Sequence, residues 1–406
     1  MSALAVWMYG ERIGELAPER GRLVFAYAPG VVASRGGRPV LSVGMPARPR
    51  PYRGGAVRAF FDGLLPEGEA RRMIAYDLGL DGDDVFALLV ALGRDSAGAL
   101  VIAPASESPP RAGTPEPIDD RGIAERLRRL HVEPLGVDER VRLSLAGVQE
   151  KLLLARADDR WCLPVDGAPS THILKRQHAL LPDTVANEGF CMRLAAHAGL
   201  PVAAVSAIAF DGVEVLCVER FDRIRGSGGG EVARVHQEDL CQALGLPPQR
   251  KYEEAGGPSL RDAALVLDRW SVDPGAREQL LDLTVLNVAI GNADAHGKNV
   301  SLLHLPSGRI ELAPAYDLMS TTHYPQASVT PGMLIGGVRD ITAVTLPDLV
   351  REAAGWGLSA ETARERALSL LGRLPEAAER AAAEIAPPPG LADAVRRRCG
   401  DLAASA

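Results

Sequence analysis

Residues 141–220 of this chain are patterned as short strands and hairpins, whereas the chain from about residue 236 onward is patterned as helices. The strand-like part alternates apolar and polar residues and contains an Asp-Gly turn at 211–212, which is typical of a hairpin. The helical part includes "REQLLDLTVLNVAI", which is apolar on nearly every side and predicts a buried helix. The sequence therefore predicts an α+β fold with a β-rich part followed by an all-helical C-terminal lobe. Ligands tend to bind in the cleft between two such lobes.

The first part of the chain predicts a separate unit. "ALAVWMYGERIGEL" predicts a hairpin around Gly10, and "DVFALLVALGRDSAGALVIAP" predicts a helix, a glycine turn and a strand. Residues 104–120 are rich in proline, serine and acid, which is typical of a linker. The length of 406 residues allows about two to three domains. We predict domains at 1–105, 121–222 and 223–406.

Composition narrows the classes of function. The formal net charge of −7 argues against a protein that binds nucleic acid through its own strongly basic surface. The five cysteines are scattered and form no C-x-x-C pair, which favours reduced, mostly buried thiols. Glu11 and Glu15 come too early for a signal peptide, and no apolar run is long enough to span a bilayer. We therefore expect a cytoplasmic protein that does not enter a membrane.

The stretch "AIGNADAHGKNVSLL", residues 289–303, looks like an altered phosphate-binding loop. Compared with G-x-x-x-x-G-K-[ST], its glycines stand one residue too far apart, and Asn299 replaces the Ser or Thr. Asp294 would also place an acid where anionic phosphate should lie. A metal-hydrolase hypothesis uses Asp294 and His296 as a D-x-H pair, but His304 and His323 stand at no recognisable ligand spacing. In a purely structural interpretation, Asp294 caps a helix and Asn299 turns the chain.

A kinase interpretation explains more of this stretch. Asp294 and Asn299 have the five-residue step of the protein-kinase catalytic loop, in which the Asp accepts a hydroxyl proton and the Asn binds a metal. Asp317 in "PAYDL" follows after an intervening hairpin and is a candidate second metal ligand.

The β-rich part supplies the remaining elements that a kinase needs. Lys175 ends the predicted strand "THILK" and is a candidate phosphate-binding lysine, with Glu188 as a possible partner. "SLAGVQEK", 144–151, is a turn that could lie over a nucleotide and donate backbone N–H groups to it. "VERFDR", 218–223, lies where the adenine-binding hinge belongs.

These motifs together resemble the HipA family, the kinase toxins of HipBA-type toxin–antitoxin modules. "SLAGVQEKLLL", "THILK", "NEGFCMRLA", "VERFDR", "HQEDLCQALG", "GNADAHGKN" and "LAPAYDLMS" follow one another in the family's order. The N-terminal "VWMYGERIGEL", "FFDGLLPEG" and "LLVALGRDSAGALV" extend the resemblance over residues 1 to about 340. The resemblance implies a bilobal, protein-kinase-like fold.

The resemblance also implies roles for single residues. Asp294 would be the catalytic base, with Lys175 gripping phosphate and His296 in support, and Asn299 and Asp317 would be the Mg²⁺ ligands. Ser144 matches the family's autophosphorylated serine, whose modification ejects the loop and switches the enzyme off. The residues implied to bind ATP are Leu145, Ala146, Gly147, Val148, Gln149, Glu150, Lys175, Glu219, Phe221 and Lys298.

The function implied is a serine/threonine kinase that uses ATP and Mg²⁺ to phosphorylate an aminoacyl-tRNA synthetase, with glutamyl-tRNA synthetase first, and so inhibits translation. The implied partner is a HipB-like helix-turn-helix antitoxin, which would bring this acidic chain to operator DNA. Two alternatives stay open: a kinase for a small metabolite, and a catalytically silent co-repressor.

The chain departs from ordinary protein kinases but fits the family. It has neither H-R-D before the catalytic loop nor D-F-G at Asp317. The loop at 324–345 matches the family only loosely, at "IGG". Substrate contacts in that loop are therefore not predicted.

Overall fold

The computed structural model describes residues 3–107, 113–137, 140–141, 143–147, 149–225 and 232–405. The N-terminal part, within residues 3–107, contains an antiparallel five-stranded sheet in the order β4-β3-β2-β1-β5. The predicted hairpin around Gly10 is confirmed, and Gly10 takes the positive φ of 75° that its turn requires. The elements of this part are β1 Leu4–Met8, β2 Glu11–Glu19, β3 Arg22–Tyr27, α1 Pro29–Arg35, β4 Tyr52–Arg53, α2 Gly55–Asp62, α3 Gly68–Asp77, α4 Val85–Leu92 and β5 Leu100–Pro104.

A second antiparallel sheet follows, and among the described residues it has six strands in the order β10-β11-β9-β7-β8-β6. The helix α6 (Thr184–His197) packs between this sheet and the C-terminal helix α11 (Ala360–Glu384), so most side chains of α6 are buried. Glu188, the candidate partner of Lys175, therefore lies inside α6 in a buried position. The elements are β6 Glu116–Pro117, α5 Asp120–Arg128, β7 Lys151–Ala157, β8 Arg160–Leu163, β9 His172–Arg176, α6 Thr184–His197, β10 Val205–Phe210 and β11 Val213–Glu219.

The C-terminal part is mainly helical and not purely so, because residues 232–405 contain a three-stranded sheet, β14-β15-β16. "HQEDLCQALGL", which we predicted as helix, begins as strand β14 and becomes helical only at Leu240. The elements of this part are β12 Arg223–Arg225, β13 Val232–Arg234, β14 His236–Asp239, α7 Leu240–Leu244, α8 Leu260–Trp270, α9 Ala276–Ile290, β15 Ser301–His304, β16 Ile310–Leu312, α10 Leu346–Gly355, α11 Ala360–Glu384 and α12 Leu391–Ala404.

Helix α9 is the buried helix that the sequence predicted. From Leu280 to Ile290 nearly every side chain is buried, and α9 packs against the helices α8, α10, α11 and α12. The helix ends at Gly291, whose φ of 69° lets its N–H bond back to the last turn of the helix. The loop that begins at Gly291 is therefore held by the core of the C-terminal part.

Two other expectations need correction. The segment predicted as a linker is partly structured, since Pro117 pairs with Cys162 and the Gly113 N–H bonds to the Asp166 carbonyl at 3.0 Å. Residues 141–145, "VRLSL", open the region that was predicted as short strands, but they do not form a regular strand; within the described residues of this segment only Leu143 forms a β-bridge, to Asp95. Both errors arise because long-range pairing decides whether such short segments become strands. The predicted domain boundaries stay a prediction.

A buried cluster of charges joins the N-terminal part to the second sheet. Asp95, Arg220, Asp222 and Arg223 have side chains at most 2% exposed. Arg223 donates to the Asp95 carboxylate at 2.9 Å, and Arg220 donates to the Asp222 carboxylate at 2.8 Å. Asp222 also accepts from the Gly98 N–H at 2.7 Å. Burial opposes ionisation, but the two arginines hold the pKa of Asp222 well below its usual range.

Candidate active site

A cleft lies where the three parts of the chain meet. It is lined by the turn before β7, strands β9 and β11, the loop after α9 and the Asp317 loop. Ser144 and Glu150 are not among the lining residues, and Val148 lies outside the described residues. The predicted site residues that do line the cleft are Leu145, Ala146, Gly147, Gln149, Lys175, Glu219, Phe221, Asp294, His296, Lys298, Asn299 and Asp317.

The Asp294 loop is fastened on both sides. Asn292 donates to the Asn287 side chain in α9 at 2.9 Å, and its own side-chain oxygen accepts from the Asp294 N–H at 3.2 Å. The Ala293 N–H bonds to the Thr321 hydroxyl at 2.8 Å. The Asn299 amide then reaches back to the Asp294 carbonyl at 3.2 Å. Asp294 and Asn299, five positions apart, therefore lie in one short loop that is closed by the hydrogen bond between them.

The two glycines of this loop have structural roles. Gly291 caps α9, and a Cβ on Gly297 would lie 2.5 Å from Pro258. Neither position forms a cradle of N–H groups for phosphate, so the likeness to a P-loop has no counterpart in the structure.

Asp317 faces the same cleft from a second loop. Its backbone is left-handed, with φ 58°, which is strained for a residue other than glycine. Its Oδ1 accepts from Lys175 Nζ at 2.6 Å, while the side chain stays 43% exposed to the cleft. The Lys175 charge lowers the pKa of Asp317 to about 2, against the effect of burial. Asp317 is therefore a carboxylate at neutral pH.

Lys175 holds two acids at once. Its Nζ lies 2.6 Å from Glu188 and 2.6 Å from Asp317. Burial disfavours the ammonium, but these carboxylates raise the pKa of Lys175 above its ordinary value. The strand-end lysine is thus a charged group aimed into the cleft.

Lys151 was missed by the sequence analysis as a site residue of its own. Strands β7 and β9 pair with Lys151 directly opposite Lys175, so both side chains point to the cleft. Burial and the neighbouring Lys175 lower the pKa of Lys151 to about 8. Its Nζ donates to the Ala146 carbonyl at 2.7 Å and so fixes the turn above the cleft. Alternation along each strand indicates which side chains share a face, but the pairing register is needed to show that Lys151 lies opposite Lys175.

The turn before β7 leaves Ser144 buried. Its hydroxyl donates to the Leu64 carbonyl at 2.6 Å, and its N–H bonds to the Asp95 carbonyl at 2.7 Å. Gly147 has φ 110°, and a Cβ there would lie 2.6 Å from Lys151 Nζ. The turn therefore needs glycine, and Ser144 needs the turn to move before its hydroxyl can reach the cleft.

Lys298 and the hinge segment are engaged by other parts of the protein. Lys298 Nζ lies 2.6 Å from Asp239 and 3.6 Å from Glu67, which comes from the N-terminal part. The Glu219 N–H bonds to the Ala204 carbonyl at 2.8 Å. The Phe221 ring packs on the Tyr316 ring with centroids 5.5 Å apart, which gives the cleft an apolar wall.

His296 is placed to support the loop. The ring is buried and lies edge-on to Tyr252, with centroids 5.1 Å apart. Burial lowers the pKa of His296 to about 3, so the ring is neutral. Tyr252 in turn donates its hydroxyl to Asp294 Oδ1 at 2.6 Å. Burial raises the pKa of Asp294, and the charge of Asp317 raises it further.

The metal-hydrolase alternative has no support within the described residues, which contain no group of three or more His, Cys, Asp or Glu side chains that could hold a metal ion. His304 pairs with Glu238 at 2.8 Å, and neither lines the cleft. A site with one carboxylate and one amide is too sparse for zinc but is what Mg²⁺ needs when phosphates complete its shell.

Comparison with known proteins decides the family. The model of the HipA N-terminal domain matches residues 4–103, and the model of the HipA-like C-terminal domain matches residues 143–382. This chain belongs to the HipA family. The HipA fold is confirmed by the solved structure of Shewanella oneidensis HipA with HipB and operator DNA. That chain has a TM-score of 0.84 and 30% identity, over 99% of this chain and 96% of that one.

Two curated relatives extend the comparison. The Y4mE protein of Sinorhizobium fredii is 41% identical over 392 residues, which cover 93% of this chain and 91% of the relative. The serine/threonine-protein kinase toxin HipA of Shewanella oneidensis is 33% identical over 336 residues, covering 79% and 76%. HipA relatives thus include a named protein kinase. Within the described residues, no helix is both long enough and apolar enough to cross a bilayer.

Proposed function

We propose that this HipA-family protein is an ATP-dependent serine/threonine protein kinase. The observation that carries the proposal is the convergence of Asp294, Asn299, Asp317 and Lys175 on one cleft from two loops and a strand. A base, two oxygen ligands and a cation are the groups that phosphoryl transfer requires. The membership of the family and the named kinase relative support the same activity.

In the reaction, the Asp294 carboxylate accepts the proton of the acceptor serine. The serine oxygen forms a bond to the γ-phosphorus of ATP, and the bond between that phosphorus and the β–γ bridging oxygen breaks to leave ADP. Lys175 holds phosphate oxygens from the strand side, and the apolar wall at Phe221 receives the adenine. Leu145, Ala146, Gly147 and Gln149, which line the cleft, would cover the phosphates.

Asn299 and Asp317 would hold Mg²⁺. Asp317 uses Oδ1 for Lys175, which leaves Oδ2 for a metal, and the Asn299 amide nitrogen is engaged by the Asp294 carbonyl, which leaves Oδ1. When bound, the ion would neutralise charge that develops on the phosphates. In this proposal Asn299 and Asp317 each supply one oxygen, and one or two protein ligands are usual for Mg²⁺ bound with a nucleotide.

Ser144 is the proposed site of autophosphorylation. A phosphate adds nearly two negative charges, and the buried Ser144 hydroxyl lies against the Leu64 carbonyl, an oxygen that would repel phosphate oxygens. A phosphorylated Ser144 could not return to that pocket, so the turn above the cleft would stay displaced and ATP would lose its cover.

The partners and the substrate are proposed at the level of the family. The Shewanella oneidensis relative was solved with HipB and operator DNA, which supports a HipB-like antitoxin for this chain. DNA contact would then come mainly through the antitoxin, since this chain has a net charge of −7. We propose an aminoacyl-tRNA synthetase, with glutamyl-tRNA synthetase first, as the protein substrate.

Radiolabelled ATP tests the activity. Wild-type protein should label Ser144 and a purified synthetase, whereas Asp294→Asn should label neither and still bind ATP. Labelling of a small alcohol with no protein acceptor labelled would instead support a metabolite kinase. A wild-type protein that binds ATP and transfers nothing would support the co-repressor.

A further inference from the structure

We infer that Tyr252 is a positioning residue that orients the Asp294 carboxylate toward the acceptor hydroxyl. This inference rests on the proposed function, because it gives Asp294 the role of base. The Tyr252 hydroxyl donates to Asp294 Oδ1 at 2.6 Å and thereby fixes the rotation of the carboxylate about its Cβ–Cγ bond. The second oxygen, Oδ2, is then the one presented to an acceptor.

Tyr252 stays a donor at any working pH. Burial and the adjacent Asp294 charge both raise the pKa of the Tyr252 hydroxyl above its ordinary value. The protonated phenol gives its hydrogen to Oδ1, and among the described residues no other group donates a hydrogen bond to the Asp294 carboxylate, so Oδ2 is the oxygen available to an acceptor. A carboxylate that is free to rotate would spend part of its time with neither oxygen aligned.

The segment that carries Tyr252 is tied to the catalytic loop. The Lys251 carbonyl accepts from the Gly297 N–H at 3.0 Å. On the other side of Tyr252, the Glu253 N–H bonds to the Gly332 carbonyl at 2.9 Å, and its carboxylate accepts from the Leu334 N–H at 2.7 Å. Tyr252 is therefore flanked by two anchored residues.

Gly332 closes this arrangement on the Asp294 loop. Its N–H bonds to the Ala293 carbonyl at 2.7 Å, and a Cβ on Gly332 would lie 2.8 Å from the Ala295 carbonyl carbon. Three segments, at 251–253, 293–297 and 332–334, thus hold one another by backbone hydrogen bonds. Such anchoring favours a Tyr252 that stays in place and orients Asp294 over a Tyr252 that blocks Asp294 and moves away when the acceptor binds.

Tyr252→Phe is the direct test, because it removes only the hydroxyl and keeps the ring against His296. Loss of a hydrogen bond to a charged group should lower kcat for a protein acceptor roughly tenfold or more. The KM for ATP should stay within about twofold, since a residue that only orients the base does not contact the nucleotide. A general loss of structure would lower both.

Two further variants isolate the path through Asp294. Tyr252→Phe added to Asp294→Asn should bind ATP as tightly as Asp294→Asn alone, since Tyr252 acts through the Asp294 carboxylate and does not contact the nucleotide. Tyr9→Phe is the matched control, because Tyr9 is half-exposed like Tyr252 and donates to the His304 carbonyl at 3.1 Å, outside the cleft. It should leave kcat unchanged.

An unchanged kcat in Tyr252→Phe would overturn the positioning role and leave the proposed kinase activity intact. A raised kcat would also overturn it, because the hydroxyl would then be competing with the acceptor. A wild-type protein that transfers no phosphate would overturn the proposed function, and the inference with it.

Discussion

Lys175 and Asp317 are separated by 142 positions in the chain, yet Lys175 Nζ and Asp317 Oδ1 lie 2.6 Å apart. The contact joins strand β9 of the second sheet to a loop of the C-terminal part across the cleft. Glu188 in α6 holds the same ammonium from behind, at 2.6 Å. One lysine shared by two carboxylates therefore links the second sheet to the C-terminal part across the cleft.

Replacing this lysine should damage stability and activity by separable routes. Lys175→Met leaves Glu188, whose side chain is only 4% exposed, as a buried charge without its partner. We expect the free energy of unfolding to fall by about 3 kcal/mol in urea denaturation. Adding Glu188→Gln should recover much of that stability without recovering phosphoryl transfer. Recovery of transfer in the double variant would exclude a phosphate-binding role for Lys175.

Asp317→Ala should remove the magnesium dependence of ATP binding. In wild type, Mg²⁺ should tighten ATP binding roughly tenfold or more, because Asp317 would hold the ion and the ion would offset the charge of the phosphates. Calorimetric titration with Mg²⁺ or with EDTA measures this difference in each variant. The control is Asp268→Ala, an acid that pairs with Arg277 outside the cleft. Equal magnesium dependence in wild type and Asp317→Ala would rule out our metal assignment.

After incubation with ATP, Ser144→Ala should keep its transfer activity, whereas wild type should lose activity through autophosphorylation of Ser144. The change leaves the Leu64 carbonyl without its donor, which should cost about 1 kcal/mol of stability but leave the cleft residues in place. Incubation with ATP, followed by intact-mass measurement and a transfer assay, follows both modification and activity. Ser34→Ala, an exposed serine on α1, should silence itself like wild type. An inactive Ser144→Ala would instead make Ser144 part of the catalytic machinery.

Acid should destabilise the protein partly through His172. Its Nδ1 faces the Thr171 hydroxyl at 2.8 Å and its Nε2 faces Arg225 at 3.0 Å, so a proton on Nε2 would oppose the arginine. Burial, with Arg225, lowers the pKa of His172 to about 4. Because the folded-state pKa lies below the unfolded value, this stability is complete above about pH 6.5. It is lost as the pH falls toward 4.

Urea denaturation between pH 7 and pH 4 measures this loss. His172→Gln, which has no titrating ring, should flatten the decline by up to about 3 kcal/mol. His131→Gln, at an exposed histidine, should leave the pH dependence as in wild type. If His172→Gln declines as steeply as wild type, other groups govern the acid sensitivity.

Local pattern was sufficient for the parts of the site that lie on one segment. The sequence of α9 is apolar on nearly every side, which predicted a buried helix. The loop after α9 places both Asp294 and Asn299 at the cleft, as their five-residue spacing suggested. Asp317 was predicted as a site residue because it follows the hairpin after this loop, and it also lines the cleft. Each of these depends on near neighbours in sequence, which is the range over which hydrophobic period and turn residues are informative.

Contacts between distant segments could not be predicted in this way. Tyr252 meets Asp294 across 42 positions, and nothing in "KYEE" marks its hydroxyl as a partner of a carboxylate. Lys151 faces the cleft because β7 pairs with β9 in one register, and a shift of one residue would turn it away. The residues of strand β14 were predicted as helix because their strand partner, β15, comes more than sixty residues later and leaves no trace in the local pattern.

The cluster around Asp95 limits how this protein can be shortened. A chain that began after residue 107 would keep Arg223 but lose the Asp95 carboxylate and the Gly98 carbonyl that receive its hydrogen bonds. Ser144 and Lys298 would lose partners at the same time, in Leu64 and Glu67. The first hundred residues therefore hold up one side of the cleft, and we expect a protein without them to lose the contacts that fix Ser144, Arg223 and Lys298 in place.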